Sequence, residues 1–491
     1  MREKWDRRHS ADGRTYGQMT LDRAMEGRTA FYRGGGGSEN GCGQPAPGAG
    51  DEFDGISPGV AAQIEKRPEL PTIHVNGRHL REISADALAA LKAWNQPARL
   101  FLRAGRLVRV LADERGRPAI QDVSEHCLRG ALCRAANFAR TEVRGRGEGK
   151  TAIDVIVHPP MEVVRDILAL GEWEVPPLEG IIESPVIRPD GTVLTAPGYD
   201  AATRLYYHRD GLRLADVPEE PSAVDVELAK QALLDLVCDF PFVDEASRTN
   251  WLGLLLTPIL RPAIDGPVPI ALIDAPMAGT GKSLLAEVVS IVATGASAEM
   301  LPQSKDDDEM RKKITGLLTK GAGMICFDNV TSEIASPDLA LALTGRLWSD
   351  RALGGNQIIT VPQRATWMAT GNNLRVAGDM GRRSYWIRMD AMLSDPEQRS
   401  QFRHANLTEY AKSQRGYLLA CALTIARNWF ARGRPKADVP RMGSFESWCE
   451  VIGGVLHACG MTQFLGNLKE MRANADEVRA WLNKQPAGYR L

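Results

Sequence analysis

The feature that most constrains this chain is the loop Pro276-Met277-Ala278-Gly279-Thr280-Gly281-Lys282-Ser283, which lies between two apolar segments. Residues 268–273 predict a buried strand before the loop. The residues after it predict a helix with one apolar face, formed by Leu285, Val288, Val289 and Val292. Between a strand and a helix, glycines allow the backbone N–H groups to face an anion at the helix N-terminus. The sequence therefore predicts a phosphate-binding loop made of Ala278, Gly279, Thr280, Gly281, Lys282 and Ser283.

Two side chains of this loop have predicted roles. Lys282 supplies a positive charge to the β- and γ-phosphates, and the Ser283 hydroxyl is a ligand for Mg²⁺. The loop departs from the usual pattern at its start, where Pro276 replaces the first glycine. Proline fixes φ, so we expect a rigid loop entrance and an intact phosphate cradle.

A second apolar segment, residues 324–327, is followed by Asp328 and Asn329. The carboxyl ends of parallel strands meet at one edge of a sheet, so Asp328 is expected beside the loop, where it can hold Mg²⁺. Most phosphate-loop motors have a water-activating glutamate where this chain has Asn329. Asparagine accepts no proton at neutral pH and can only orient the water, which leaves Asp328 or another acid such as Glu333 as the base.

A third apolar segment ends at Asn372 and Asn373. An asparagine at this edge can contact both the γ-phosphate and the attacking water. Asn372 is the preferred candidate because it is nearer the strand end, and Asn373 is the alternative. Further along, Arg382 and Arg383 precede another strand. An arginine that reaches into a neighbouring subunit's site can stabilise developing negative charge, although a surface ion pair is the alternative interpretation.

Together these segments resemble superfamily 3 helicases of the AAA+ class, and more closely the helicase part of phage, plasmid and poxvirus-type primase-helicases. The resemblance covers about residues 225–460, and it rests on residues 279–283, 326–329, 350–354, 369–373 and 381–383. It implies an α/β fold with an AAA+-type P-loop ATPase core, in which helices flank a parallel sheet. An N-terminal mixed α/β module and a C-terminal helical domain accompany that core.

The resemblance also implies a function. Such proteins are ATP-dependent DNA helicases of phages or mobile elements, which form hexameric rings, hydrolyse ATP with Mg²⁺ between subunits and translocate on single-stranded DNA. In them a hairpin between the acidic strand and the sensor strand carries pore residues. The matching region, 351–364, offers Arg351, Asn356 and Arg364 as DNA contacts, with no lysine between the arginines. A separate primase is a candidate partner, because the amino-terminal third shows no primase centre.

Two alternatives stay open: a P-loop ATPase that acts as a switch or assembly scaffold without moving DNA, and a decayed prophage remnant. The 60 Lys and Arg nearly balance the 61 Asp and Glu, so any DNA contact must come from a local patch. The eight cysteines form no CxxC pair, which argues against a zinc ribbon or a disulfide framework. With no long apolar run and no signal sequence, the chain is predicted to be cytoplasmic, without a membrane partner.

The composition along the chain predicts four regions: a disordered, glycine-rich and basic tail (1–70), a small mixed α/β accessory module (71–215), the ATPase core (222–393) and a C-terminal helical domain (394–491). Inside the module we expect a hairpin at Ala104-Gly105 and a basic glycine linker at 144–150. Ser222 and Asp225 predict a capping box. It opens a helix whose buried face is Leu228, Ala232, Leu233, Leu236 and Val237.

Overall fold

The computed structural model describes residues 70–473 except 115, 146–149, 210, 305 and 352–357. These residues belong to one compact unit, which spans Glu69–Leu491. Of the tail predicted at 1–70, residues 1–69 lie outside the described residues, as does the site candidate Asn356. No helix among the described residues combines the length and apolar character that crossing a bilayer requires.

The first part of the unit is a mixed α/β module with its own hydrophobic core. Its elements are β1 (Thr72–His74), α1 (Leu80–Trp94), β2 (Leu100–Arg103), β3 (Arg106–Ala112), β4 (Pro118–Asp122), α2 (Glu125–Ala135), β5 (Asn137–Arg144), β6 (Thr151–Val157) and α3 (Met161–Leu170). Strand β5 lies between β1 and β6, while β2, β3 and β4 form an antiparallel meander. The predicted hairpin is confirmed, with Ala104 and Gly105 at positive φ between β2 and β3.

The segment predicted as a linker at 144–150 overlaps β5 at Arg144, and its residues 146–149 lie outside the described residues. Strands β5 and β6 are antiparallel neighbours, and Arg144 is paired with Thr151. The glycines and basic residues between them therefore connect a hairpin. A glycine-rich segment marks a break in local structure without showing whether the flanking segments pair, which is why composition alone assigned it to a linker.

A group of short strands follows: β7 (Gly180–Ile182), β8 (Val186–Ile187), β9 (Val193–Leu194), β10 (Gly198–Asp200) and β11 (Leu205–Tyr207). Strands β8 and β9 are antiparallel partners. Two helices come next, α4 (Ala223–Asp235) and α5 (Glu245–Ile259). The capping box of α4 is confirmed, since Ser222 and Asp225 bond reciprocally. Leu228, however, is 57% exposed, because α4 buries the face of Val226, Ala229 and Leu233.

The remaining elements are β12 (Ile270–Ala275), α6 (Lys282–Thr294), β13 (Glu299–Leu301), α7 (Asp307–Lys320), β14 (Met324–Val330), α8 (Pro337–Thr344), β15 (Leu347–Arg351), β16 (Ile358–Pro362), β17 (Thr366–Asn372), β18 (Ser384–Arg388), α9 (Leu407–Ser413), α10 (Arg415–Ala431) and α11 (Glu446–Ala458). Five of the strands form an entirely parallel sheet in the order β13-β14-β17-β12-β18. Helix α6 packs on β12, β14 and β17, and α5 packs on β18.

One continuous hydrophobic core joins this sheet to the carboxyl-terminal helices. The predicted face of α6 lies within it, and Leu285, Val288, Val289 and Val292 are fully buried. Helix α10 packs against α4, and α11 packs against α5. The carboxyl ends of β12, β14 and β17 therefore lie side by side on a rigid support, and each is followed by polar residues.

Candidate functional site

The loop after β12 has the backbone geometry of an anion site. Gly279 and Gly281 both adopt positive φ, which residues with a side chain rarely do, and α6 begins directly afterwards at Lys282. Among the hydrogen bonds of the described residues, none is donated by the main-chain N–H groups of residues 279–283. A row of unpaired N–H groups at a helix N-terminus is complementary to a phosphate group.

The side chains of this loop are held by its own backbone. The carbonyl oxygen of Met277 accepts hydrogen bonds from Thr280 Oγ1 at 2.7 Å and from Lys282 Nζ at 3.0 Å. Burial lowers the pKa of the Lys282 ammonium below its ordinary value, while the negative charges of Asp274 and Asp328 act in the opposite direction. A partly desolvated ammonium that lacks a carboxylate hydrogen-bond partner is a strong attractor for an incoming anion.

Asp328 is tied directly to the loop. Its Oδ1 accepts a hydrogen bond of 2.6 Å from the Ser283 hydroxyl and another of 2.7 Å from the Thr370 hydroxyl. Carboxylate and hydroxyl oxygens are the hard ligands that Mg²⁺ prefers, and Mg²⁺ usually takes only one or two from the protein when phosphate oxygens supply the rest. No group of three or more His, Cys, Asp or Glu among the described residues is arranged to hold a metal by itself. This pair thus fits a metal that arrives with a phosphate ligand.

The three candidate asparagines lie in different positions relative to the Ser283 and Asp328 oxygens. Asn329 has φ of 51°, and its N–H donates to Thr370 Oγ1 at 3.0 Å. Asn373 donates from Nδ2 to the Pro276 carbonyl oxygen at 3.3 Å and so holds the loop entrance. Asn372 is the last residue of β17, exposed, and paired in register with Ala275 of β12. It shares its strand face with Thr370, two residues before it, which favours Asn372 over Asn373 as the residue that faces the site.

The structure therefore brings Lys282, Asp328 and Asn372 to one edge of the sheet. It also adds two residues that the sequence analysis missed. Thr370 is buried, and its hydroxyl is hydrogen-bonded to both Asp328 and Asn329. Its only signal in the sequence was its position two residues before Asn372, which places both side chains on the same face of the strand. Asp274 is a buried carboxylate near the end of β12, and a lone acid inside an apolar strand was its signal.

Asp274 has an electrostatic role beside the loop. Its Oδ1 accepts the Leu374 N–H at 2.8 Å, which anchors the segment after β17. Burial raises the pKa of the Asp274 carboxyl above its ordinary value, and the Leu374 N–H and the charges of Arg388 and Lys282 oppose that rise. The carboxyl thus connects β12, the strand before the phosphate loop, with the segment that follows β17.

Two further residues line the loop and were not predicted. A Cβ built on Gly279 would lie 3.1 Å from the backbone nitrogen of Glu397, and one built on Gly281 would lie 3.1 Å from the ring of Phe240. Both glycines are therefore needed for close packing as well as for their positive φ. Neither Glu397 nor Phe240 belongs to a local motif, so sequence spacing offered no signal for them.

Arg382 and Arg383 lie at the opposite edge of the sheet from the loop. They immediately precede β18, whose first residue, Ser384, is paired with Ile270 at the start of β12. The loop begins after Ala275 at the other end of that strand, which is about 17 Å away at ~3.3 Å per residue. The structure does not bring these arginines to the phosphate loop of their own chain.

The candidate nucleic-acid residues lie on a two-stranded ribbon. Strands β15 and β16 are antiparallel, with Arg351 paired with Ile358, and the connection at 352–357 lies outside the described residues. Arg351 is exposed at the end of β15 nearest this connection. Arg364 follows β16 at the other end, where it forms an ion pair with Glu179 and donates to the Arg261 carbonyl oxygen. Arg351 is thus the better placed of the two for an external contact.

The comparisons with known proteins give limited matches. A family model described as the NrS-1 polymerase HBD domain matches residues 1–34. No curated protein matches the sequence at a significant level. Among solved structures, the chain is similar to "The A form apo structure of NrS-1 C terminal region-CTR" at 12% identity and a TM-score of 0.34, with 75% of this chain and 71% of that chain covered.

Two solved helicase structures are also similar. "SCCmec type IV Cch - active helicase" matches at 12% identity and a TM-score of 0.31, with 79% of this chain and 74% of that chain covered. A JCV helicase bound to a small molecule matches at 14% identity and a TM-score of 0.22, with 52% and 73% covered.

Proposed function

We propose that this chain is an ATP-dependent DNA motor of the superfamily 3, AAA+ type, which hydrolyses ATP between the subunits of a ring and translocates on single-stranded DNA. The observation that carries the proposal is the 2.6 Å contact between the Ser283 hydroxyl and Asp328 beside a row of unpaired N–H groups. One strand–loop–helix unit and a second strand thereby supply a phosphate cradle and a Mg²⁺ ligand pair at one point.

In this proposal each residue of the edge has a separate task. The N–H groups of 279–283 and Lys282 bind the phosphate chain, and Ser283 and Asp328 hold Mg²⁺, which neutralises charge on the β- and γ-phosphates when bound. Asn372 orients the attacking water. Asn329 cannot take the proton of that water, so Asp328 or another acid such as Glu333 accepts it.

The positions of Arg382 and Arg383 are the reason for proposing a ring of subunits. The phosphate loop lies beyond the reach of Arg382 and Arg383 of the same chain, so either of them can stabilise a transition state only in the site of a neighbouring subunit. Such a contribution is worth on the order of 10³ to 10⁵ in rate in phosphate-loop enzymes. A closed ring of identical subunits gives every site one such donor. The hexameric state and a separate primase as a partner are parts of this proposal that rest only on the resemblance to superfamily 3 helicases.

The first test is the Lys282→Ala variant in a steady-state ATPase assay. We expect loss of turnover, because the cradle then lacks its only ammonium. Lys412→Ala is the matched control: Lys412 forms an ion pair with Glu409 on the surface of α9, with the lysine side chain 54% exposed, and its removal should leave turnover unchanged. Full activity of the Lys282→Ala protein would contradict the proposal.

A second candidate function is a nucleotide-dependent switch that moves no DNA. It is favoured by Asn329, which replaces the usual catalytic carboxylate beside Asp328. The two functions differ in how ATP turnover responds to single-stranded DNA. A motor should be stimulated, and the stimulation should fall steeply with salt because phosphate contacts release counterions. Turnover that is indifferent to DNA at every salt concentration would favour the switch.

A further inference from the structure

A cavity of about 630 Å³ lies away from the phosphate loop. One part of its wall comes from β2, β4 and β7, and another part comes from the carboxyl ends of α6 and α7 and the start of β14. Helix α6 has 13 residues, so its last residue, Thr294, lies about 18 Å from Lys282 at its start. Small-molecule sites commonly have this size and lie where two parts of a fold meet. The cavity is therefore a candidate site separate from the phosphate loop.

Two arginines in the wall of this cavity are almost completely buried. Arg103, the last residue of β2, is 5% exposed, and Arg261, in the 3₁₀ turn after α5, is 7% exposed. Within the part of the chain that the structure describes, neither guanidinium forms an ion pair, and neither Nε has a hydrogen-bond partner. Because removing a charge from water is costly, buried charges are normally paired. Two unpaired guanidinium groups in one cavity wall therefore point to a ligand of opposite charge.

The contacts of these two arginines are with main-chain oxygens. Arg103 donates to the carbonyl oxygens of Thr319 at 2.8 Å and Leu318 at 3.1 Å, at the carboxyl end of α7. Arg261 donates to two carbonyl oxygens at 3.2 Å and 3.4 Å. These hydrogen bonds fix both side chains against the wall but neutralise neither charge. Since a guanidinium has five N–H donors, each arginine keeps donors for a further acceptor.

The carboxylates near Arg261 already have other partners. Glu179 forms an ion pair with Arg364, and Asp265 accepts two hydrogen bonds from Arg346. Burial and then the positive charge of Arg364 lower the pKa of Arg261 to about 9, while Glu179 acts in the opposite direction. Arg261 thus remains a cation at neutral pH, and the positive charge around it exceeds the negative charge.

The other acids of the wall do not reverse this balance. Glu183 forms an ion pair with Arg117 at 2.6 Å. Asp113 and Glu299 are exposed, where water and salt screen their charges. The buried part of the wall thus carries uncompensated positive charge beside apolar side chains such as Ile120.

We propose that this cavity binds a small phosphorylated molecule, and that Arg103 and Arg261 supply the positive charge that its phosphate group neutralises. A phosphate monoester carries nearly two negative charges at neutral pH, which matches two uncompensated guanidinium groups. Guanidinium groups also suit phosphate oxygens in geometry. The volume exceeds that of a single ion, so the cavity has room for an organic body along its apolar side chains. The site is independent of the proposed motor, because the cavity and the phosphate loop lie at opposite ends of α6.

Titration calorimetry with inorganic phosphate and with ribose 5-phosphate tests the site, and ribose is the uncharged control. The Lys282→Ala protein is used beside the wild type, because its phosphate loop lacks the ammonium. In both proteins we expect saturable binding of the two phosphate compounds at one site per chain and no binding of ribose. Ribose 5-phosphate should bind more tightly than inorganic phosphate, because its body fills more of the cavity.

Variants of the two arginines locate the binding. Arg103→Met and Arg261→Met should each raise Kd for ribose 5-phosphate by about 10- to 100-fold, the factor for losing one hydrogen bond between charged groups. Arg165→Met is the matched control. Arg165 pairs with Glu125 on the surface of the module, and its side chain is 66% exposed, so its removal should leave Kd unchanged.

Thermal unfolding separates a binding role from a merely structural one. Without ligand, Arg103→Met and Arg261→Met remove an uncompensated buried charge, so Tm should be unchanged or higher. Ribose 5-phosphate should raise the Tm of the wild type and of the Arg165→Met control but not that of the two cavity variants. An equal rise in all four proteins is the general effect of phosphate salts on folded proteins, and it would overturn the site.

Three calorimetric results would also overturn the site. They are no saturable binding of either phosphate compound to the Lys282→Ala protein up to about 10 mM, an unchanged Kd in both cavity variants, and wild-type binding that Lys282→Ala abolishes. The first and third results need no cavity variant, so they are decisive if the methionine variants fail to fold. None of them bears on the proposed motor, which the ATPase assay of Lys282→Ala tests separately.

Discussion

Thr370 offers a direct test of how the site is built. Its hydroxyl is buried in β17 and makes two hydrogen bonds, one donated to Asp328 Oδ1 at 2.7 Å and one accepted from the Asn329 N–H at 3.0 Å. Thr370→Val keeps the shape and the strand preference of the side chain and removes only this hydroxyl. The substitution therefore isolates the link between the acidic strand and the sensor strand.

The expected loss of stability in Thr370→Val follows from the negative charge of the acceptor, Asp328. A hydrogen bond to an ionised group contributes about 1.5–3 kcal/mol to stability, and Asp328 keeps its second bond to Ser283. We therefore expect Thr370→Val to lower the free energy of unfolding by about 2 kcal/mol. The freed carboxylate can also rotate away from Ser283, so the Mg²⁺ concentration needed for half-maximal nucleotide binding should rise.

The same strand provides a matched control. Thr366 is 1% exposed like Thr370, but its Oγ1 is buried without a hydrogen-bond partner. Thr366→Val removes a buried unpaired hydroxyl and should be neutral or stabilising. Urea unfolding followed by tryptophan fluorescence measures both variants, and titration of Mg²⁺ against a fluorescent nucleotide measures the site. Equal stability and equal Mg²⁺ dependence of the two variants would refute the assigned role of Thr370.

Two further predictions concern Gly371 and Asp274, which lie near the hydrogen bond between Thr370 and Asp328. A Cβ on Gly371 would lie 2.6 Å from the Val330 carbonyl oxygen, so Gly371→Ala should cost about 1–3 kcal/mol in urea unfolding, whereas Gly323→Ala, whose Cβ meets nothing within 4 Å, should cost far less. Burial raises the pKa of Asp274 in the folded protein, so the protonated carboxyl stabilises the folded state. This stabilisation is complete below the ordinary carboxyl pKa and is lost as the pH rises through the raised pKa. Asp274→Asn keeps an acceptor for the Leu374 N–H, and its Tm relative to wild type should therefore increase from about pH 4 to neutrality; a constant difference would contradict this.

The elements of the site were predictable because each has a strong local signal. The face of α6 recurs at helical spacing, and β12, β14 and β17 are apolar runs that end in polar residues. Such runs are typical of strands buried on both faces of a parallel sheet. Because the carboxyl ends of parallel strands share an edge, the positions of Asp328 and Asn372 followed from the strand assignments.

Other features depend on pairing between distant segments, which local patterns do not encode. Thr370 bonds to Asp328 because the register of β14 against β17 shifts after Phe327, and nothing in either strand alone indicates this shift. The hairpin of β5 and β6 was missed for a similar reason, since a glycine-rich connection is compatible with paired and unpaired flanks. Leu228 was assigned to the wrong face because α4 has several apolar residues around its circumference, so periodicity did not single out one face.

The arginine pair shows how much a tertiary environment adds to a motif. In the sequence Arg382 and Arg383 are equivalent neighbours, and either one satisfies the chemistry of a charge donor. In the fold, Arg383 is held against the turn by two contacts to Asp379, and Arg382 extends into solvent from the same carboxylate. The parallel sheet sets this pair at one end of β12 and the phosphate loop at the other. In the proposed ring, a site is complete only when the end of the sheet that carries these arginines in one copy meets the phosphate loop of the next.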